Sequence, residues 1–553
     1  MDLELEEIMK EEKAMKEKET MKGEEILKEV TSEKDQDQSR LSFGRRDFLK
    51  TAGVATPLVL LGDLWRPRQS WAGSEEIQYG GTFKGSVAGS PLTFDPNYYE
   101  LYEEMVVGSL IFNRLVHLEP DMSVHPELAV SWEPNDDASV WTFKLRQDVK
   151  FHNGREFTAA DVAAFFNRVA DPDSGSKIVS ELSPIAAAEV VDKYTVRMLL
   201  EGGYADWPVV VGKPRACIIA AESAGKDTRA PIGTGPYKFK EFLPGEGVVV
   251  EANKGTWEDG QPHFDEVRTI VYPDSAAATS ALLAGDIDIR WEIEQEYIDI
   301  LSKDPDVIVN RAAGIGYQNL IMDTNVKPFD DPRVIEAIKY CVDREAFVEG
   351  VLDGYGVVAN DHAVSPMNPF FADIPLRQQD HKKAKELLTE AGYPDGLDID
   401  VHCSEIRAGM IPSAITMKDQ AAPAGIRFNV RVEPADGYWK EIWRKKPCHY
   451  SNWGGRPLIH DTLNPYLTST GKWNESNWYN PTVDKMIPSA MSETDLSKRR
   501  DYYSATQALC MHSSGLGIPY FRDYIMAHRS NIRGFPLFAT KWLFFNRPYR
   551  VKT

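Results

Sequence analysis

Apolar and polar positions alternate with period two through Val140-Trp141-Thr142-Phe143-Lys144-Leu145, the mark of a strand with one buried face. Gly425-Ile426-Arg427-Phe428-Asn429-Val430-Arg431-Val432 alternates in the same way, and Gly81 to Val87 reads as an earlier strand. Helical spacing of apolar residues runs from Leu101 to Phe112. The turn His152-Asn153-Gly154 is followed by Thr158-Ala159-Ala160-Asp161, which predicts an amphipathic helix capped by Thr158 and reaching Val169. Asp331-Pro332-Arg333 opens a predicted helix through Asp343, and another spans Gln379 to Glu390 and stops at Ala391-Gly392-Tyr393-Pro394. The closing run IPYFRDYIMAHRSNIRGF reads as strands and a turn. Strand, tight turn and capped helix in succession predict lobes of mixed α/β structure.

A chain of 553 residues is too long for one ordinary domain, so two or three lobes are expected. With 13 Trp, 22 Tyr and 23 Phe it has ample material for large cores. The net charge of -21 and the lack of a basic stripe argue against a nucleic-acid partner, whose phosphates need a positive surface. Five cysteines (Cys217, Cys341, Cys403, Cys448, Cys510) show no metal-like spacing, and buried, inert thiols are the expected state for most of them.

Residues 1–40 are a Glu/Lys-rich extension with no sustained apolar stripe, expected to be disordered or marginally helical. Gly44-Arg45-Arg46-Asp47-Phe48-Leu49-Lys50 and the short apolar run after it resemble a twin-arginine export signal over residues 41–72, with Gly44 where Ser or Thr is usual. A small-x-small site at Ser70-Trp71-Ala72 would release a mature chain starting near Gly73. No cysteine follows the apolar run, so the exported protein is expected in the periplasm without a lipid anchor.

Tyr450 to Tyr466 reads YSNWGGRPLIHDTLNPY and sets Trp453 and Arg456 on either side of Gly454 and Gly455. Pro457 removes a backbone donor, so no helix is expected to run through the stretch. On local sequence it is either a Gly-Pro surface turn or a backbone-exposing loop between an aromatic face and a fixed cation. The neighbouring aromatics Tyr438, Trp439, Trp443, Tyr466, Trp473, Trp478 and Tyr479 are either ordinary core or the lining of a small-molecule pocket. His449 and His460 flank the stretch, with structural or solvent roles expected. The chain carries no GxSxG, P-loop, HExxH or EF-hand pattern. The SxxK spacings at Ser174–Lys177 and Ser469–Lys472 lie in polar loops without partner motifs, so no catalytic residue, metal ligand or cofactor is assigned.

An ordered set of motifs resembles the family 5 extracellular solute-binding proteins, the peptide and nickel receptors of ABC importers. It comprises Trp132-Glu133, Trp141 to Arg146, Val149-Lys150-Phe151-His152, Gly154 and Thr158 to Val162. Gly233 to Phe239, Ala281 to Asp288, Lys327 to Val334, Ala384 to Leu388 and Ala391-Gly392-Tyr393 follow in order, so the resemblance covers about 75–545. It implies an α/β, two-lobed periplasmic-binding-protein clamshell of type II with an extra small domain. By analogy, lobe I would take 73–118, 211–315 and 513–553, the small domain 119–210, and the ligand-gripping lobe II 316–512. The implied function is that of a monomeric periplasmic receptor that captures a peptide-like or other small, acid-bearing solute and delivers it to inner-membrane ABC permease subunits. A nickel or metal-chelate receptor and a secreted hydrolase on the same scaffold are the alternatives.

Placed in that fold, Trp453 would stack on the ligand, the Gly454 and Gly455 backbone would hydrogen-bond it, and Tyr98, Tyr99, Tyr317 and Asn319 would supply opposing or hinge-side contacts. Peptide-binding members typically carry Asp three residues after this tryptophan, pairing with the peptide ammonium. Here that position is Arg456, which would repel an ammonium and favour a carboxylate or phosphate. Either Arg456 grips an anionic group, or Asp461 takes over the ammonium from a shifted loop.

Overall fold

The alternating run at Val140–Leu145 sits at the centre of an antiparallel sheet with Trp141, Phe143 and Leu145 turned into the core. The computed structural model describes residues 76–224 and 230–552. The charged extension and the twin-arginine-like signal therefore lie outside the described residues. The described residues from Gln78 to Val551 form one unit; of the other, only Glu76, Ile77 and Lys552 are described, with Lys552 paired to Glu76. Among the described residues no helix is long and apolar enough to cross a membrane.

In chain order the unit 78–551 begins with β1 (Thr82–Val87) and α1 (Tyr102–Ile111). A four-stranded antiparallel sheet follows, made of β2 (Ala129–Pro134), β3 (Val140–Leu145), β4 (Ile185–Asp192) and β5 (Thr195–Leu200) in the order β2-β3-β5-β4. Helix α2 (Ala159–Ala170) covers it with Val162, Phe165 and Phe166. Its start is fixed as the sequence predicts: the Asp161 carboxylate accepts the Thr158 backbone N–H at 3.1 Å, one arm of a capping box.

The chain then adds β6 (Tyr237–Leu243), β7 (Gly247–Ala252), β8 (Glu266–Val271), α3 (Ser275–Ala284), β9 (Ile289–Trp291) and the long β10 (Val307–Met322). Helix α4 (Pro332–Tyr340) ends short of the predicted Asp343, because Asp343 instead caps α5 (Arg344–Leu352) by accepting from the Ala346 N–H at 3.0 Å. Next come α6 (His381–Glu390), β11 (Leu397–Ser404), α7 (Met410–Ala421), β12 (Ile426–Glu433) and β13 (Cys448–Trp453). Then come α8 (Ile459–Leu467), α9 (Pro481–Ser492), α10 (Leu496–Ser513) and β14 (Tyr520–Arg529), before the short closing strands Ile532–Arg533 and Tyr549–Val551. Helix α8 corrects the expectation of a non-helical stretch: Pro457 keeps the helix from starting earlier, but two residues later the chain turns helical and tolerates Pro465 while burying Leu463, Tyr466 and Leu467.

A twelve-stranded mixed sheet runs β12-β11-β13-β10-β14-β9-β1-β8-β7-β6, with Gly356–Val358 and Leu516–Gly517 attached as short strands. Two apolar cores flank it. Phe83, Leu110, Phe143, Phe166, Trp207, Val267 and Phe545 belong to the first; Leu320, Ile338, Phe347, Val401, Phe428 and Tyr450 belong to the second. Strands β10 and β14 run between the two. Val307 to Ala312 pair with the far end of β14, and Tyr317 to Met322 pair with β13. The β10–β14 register slips between Ala312 and Gly316. A Cβ on Gly314 would lie 1.6 Å from the Arg522 carbonyl oxygen, so only glycine lets the strands cross so closely at the passage between cores.

Candidate functional site

Trp453 ends β13 opposite Tyr317 on β10, and two residues back Ser451 faces Asn319. Strand alternation thus turns Trp453, Ser451, Tyr317 and Asn319 to one face. Glu475 lies beneath them, 4% exposed. Its carboxylate accepts from Trp453 Nε1 at 2.9 Å, Ser451 Oγ at 2.6 Å and Asn319 Nδ2 at 3.2 Å, and also from Trp443 Nε1. Burial raises the Glu475 pKa, and the donors offset only part of that rise. Among the described residues no cation pairs with it, so the carboxylate works as a hub that fixes two indoles.

Above the hub the rings form a cluster. Trp453 lies 4.4 Å from Tyr466 and 5.7 Å from Trp473 between centroids, and Tyr466 stacks on Trp473 at 6.0 Å. The Arg456 guanidinium caps it, 5.1 Å from the Trp473 centroid, with Nε donating to Tyr466 Oη at 3.5 Å. Burial acts to lower the Arg456 pKa, but Tyr466, Asp461 and Glu181 outweigh it and the net shift is upward. Both carboxylates are engaged elsewhere: Glu181 with Arg215, and Asp461 with Lys213 at 2.9 Å and His460 at 3.0 Å. Arg456 itself forms no ion pair with a carboxylate among the described residues.

The two glycines differ. A Cβ on Gly455 would meet the Ile315 carbonyl oxygen at 2.1 Å, so this glycine serves close packing of the loop on β10. A Cβ on Gly454 would meet nothing within 4 Å, and this exposed residue leaves its backbone open.

The structure therefore brings Trp453, Gly454, Gly455, Arg456, Tyr317 and Asn319 together, with Asn319 engaged by the hub. Tyr98 and Tyr99 stand apart. Tyr98 Oη donates to the Ser174 carbonyl at 3.0 Å, and Tyr99 is buried against Gly108. Asp461 adjoins the site, but its carboxylate is held in a buried charge network. Lys213 also donates to the Glu181 carbonyl at 3.2 Å, Tyr204 Oη contacts His460 Nε2, and Arg499 pairs with Asp206. His449 is 1% exposed, bonded to the Lys446 carbonyl at 2.9 Å and lowered to about 4 by burial.

Sequence reasoning missed Glu475, Lys213 and Arg522. None stands in a motif; their positions come from pairing between distant segments. The SxxK serines have structural partners: Ser469 Oγ donates to Asp484 at 2.5 Å and Ser174 Oγ to the Asp171 carbonyl at 2.7 Å. All five cysteines are free and buried. Among the described residues no group of three or more His, Cys, Asp or Glu side chains could hold a metal ion.

Two cores joined by crossing strands, with an aromatic and cationic loop beside the crossing, define the class of two-lobed α/β binding proteins. Residues 123–475, well over half the chain, match the middle region of the bacterial extracellular solute-binding proteins, family 5. The chain belongs to that family. The glutathione-binding protein GsiB of Salmonella paratyphi A is 28% identical over 458 residues, covering 80% of this chain and 89% of that protein. HbpA2 from Haemophilus parasuis superposes with a TM-score of 0.77 at 24% identity, over 86% of this chain and 100% of that one. AgaA from A. tumefaciens R10, solved with agropinic acid, superposes with a TM-score of 0.66 at 26% identity, over 86% and 99%.

Proposed function

We propose that this chain captures a small peptide-like or other acid-bearing organic solute in the periplasm and delivers it to the inner-membrane subunits of an ABC importer. The observation that carries the reading is Arg456, a half-buried guanidinium stacked on Trp473 and without a carboxylate ion-pair partner among the described residues. Leaving such a fork unmatched is costly, and a ligand carboxylate would satisfy it bidentately. Two relatives support an acidic ligand: GsiB is glutathione-binding, and AgaA was solved with agropinic acid. Trp453 supplies a stacking face, and the Gly454 backbone is free to hydrogen-bond.

In this reading 316–512 grips the solute, 73–118, 211–315 and 513–553 form the opposing lobe, and 119–210 is the extra small domain. Lobe movement about the β10–β14 crossing encloses the solute, and the permease recognises the closed form. The chain acts as a monomeric receptor and performs no catalysis. Residues 41–72 direct twin-arginine export, and the mature protein carries no lipid anchor.

Mass spectrometry of solute that copurifies with the protein, followed by a thermal-shift screen of peptides against organic acids, tests the reading. A true ligand raises stability with concentration. Stabilisation by uncharged or purely cationic solutes alone would overturn it.

A further inference from the structure

Arg522 lies on β14 opposite Gly316. Its Nη2 donates to Asn452 Oδ1 at 2.8 Å, and among the described residues it forms no ion pair with a carboxylate. The neighbouring acid, Asp523, is taken by Arg311, and Glu292 is taken by Lys541. Burial lowers the Arg522 pKa; Tyr520 and Glu292 act against that, and Arg407 adds to it. A half-buried guanidinium in this setting is uncompensated positive charge.

It borders the site already described. The position a Cβ would occupy on Gly316 is 3.3 Å from the Trp453 carbonyl oxygen, 3.7 Å from Arg522 Nη2 and 3.8 Å from the Gly455 nitrogen. Arg522 Nη2 and the backbone of Trp453 and Gly455 therefore border the same side of Gly316 at the strand crossing. Asn452, which fixes the fork, is the residue before Trp453.

We propose that Arg522 is a second anion contact, and that the solute carries two separate anionic groups, one held by Arg456 and one by Arg522, as an acidic di- or tripeptide does. This rests on the acid-bearing solute reading above. A guanidinium binds a carboxylate through two parallel N–H donors, and its Asn452 bond occupies only Nη2.

The test is calorimetric titration of the purified chain with γ-glutamyl and α-aspartyl di- and tripeptides that bear two free carboxylates, against their monoamides. At least one diacid should bind about ten-fold or more tighter than its monoamide. Arg522→Gln should remove that advantage while leaving the unliganded melting temperature nearly unchanged, and Arg456→Gln should weaken both probes. Equal binding of diacids and monoamides, or wild-type diacid affinity in Arg522→Gln, overturns the second contact and leaves the first standing. Wild-type affinity in Arg456→Gln, or no binding by any acid, overturns the acid-bearing reading as well. Should Arg522→Gln not fold, Arg522→Lys serves: it keeps the charge, loses the fork and should lower diacid affinity several-fold without affecting the monoamide.

Discussion

The indole of Trp453 donates to the buried carboxylate of Glu475 at 2.9 Å, so the ring proposed to meet the ligand is held by an acid that no cation among the described residues neutralises. Glu475 is also the acceptor for Ser451, Asn319 and Trp443.

Glu475→Gln should therefore destabilise the fold and loosen Trp453. An amide replaces one acceptor oxygen with a donor that faces other donors, at a cost of about 2 kcal/mol. Because burial raises the Glu475 pKa, ionising it in the folded state is unfavourable, and its contribution to stability falls as pH rises through the raised value. Denaturant unfolding of both proteins across pH 4 to 8 should show the variant less stable and lacking that decline. Equal stability would remove Glu475 as the organiser of the ring cluster.

The adjacent glycines should respond differently to alanine. Gly455→Ala forces a methyl to within 2.1 Å of the Ile315 carbonyl oxygen, a backbone atom that cannot rotate away. A loss of about 2 kcal/mol or more and weaker ligand binding are expected. Gly454→Ala meets open space and should leave the melting temperature within about a degree. Thermal unfolding of the two variants decides it; equal losses would contradict the described loop path.

The network around His460 should make stability pH-dependent on both sides. Burial pushes His460 down, yet Asp461 and Asp206 outweigh it and its pKa is raised above the ordinary 6.5. Its contribution is complete below the ordinary range and is lost as pH rises through the raised value. Burial pushes Asp461 up, yet Lys213 and His460 outweigh it and its pKa is lowered, so its contribution is present above the ordinary range and is lost as pH falls. Stability should peak between about pH 4 and 6.5. His460→Gln should flatten the alkaline side of the melting-temperature profile; an unchanged profile would show that His460 is not protonated in the fold.

Local structure was legible in the sequence where a local rule governs it. Alternation located Val140–Leu145, Thr158 with Asp161 marked the start of α2, and Ile426–Glu433 matches its predicted strand within a residue. Where two local rules compete the sequence misleads: Asp343 resembles the end of one helix and is the cap of the next, and the prolines around α8 conceal it. Trp453 and Arg456 could be singled out because they flank a Gly-Gly pair. Arg522 could not, since within YFRDYIMAHR it reads as any polar residue on a strand, and its place beside Trp453 arises from pairing across β10. Tyr98 and Tyr99 looked alike in sequence, but one bonds the Ser174 carbonyl and the other fills the core beside Gly108.

If Arg456 holds an anionic group of the solute, Arg456→Ala and the wild type will differ in their affinity for it. The acidic solute identified by mass spectrometry is titrated calorimetrically into each. Losing a desolvated guanidinium–carboxylate contact should weaken binding by about 2–4 kcal/mol, thirty-fold or more. The unliganded melting temperature should change little, because Arg456 has no carboxylate ion pair to lose among the described residues. Undiminished affinity for the acidic solute in Arg456→Ala would contradict the account.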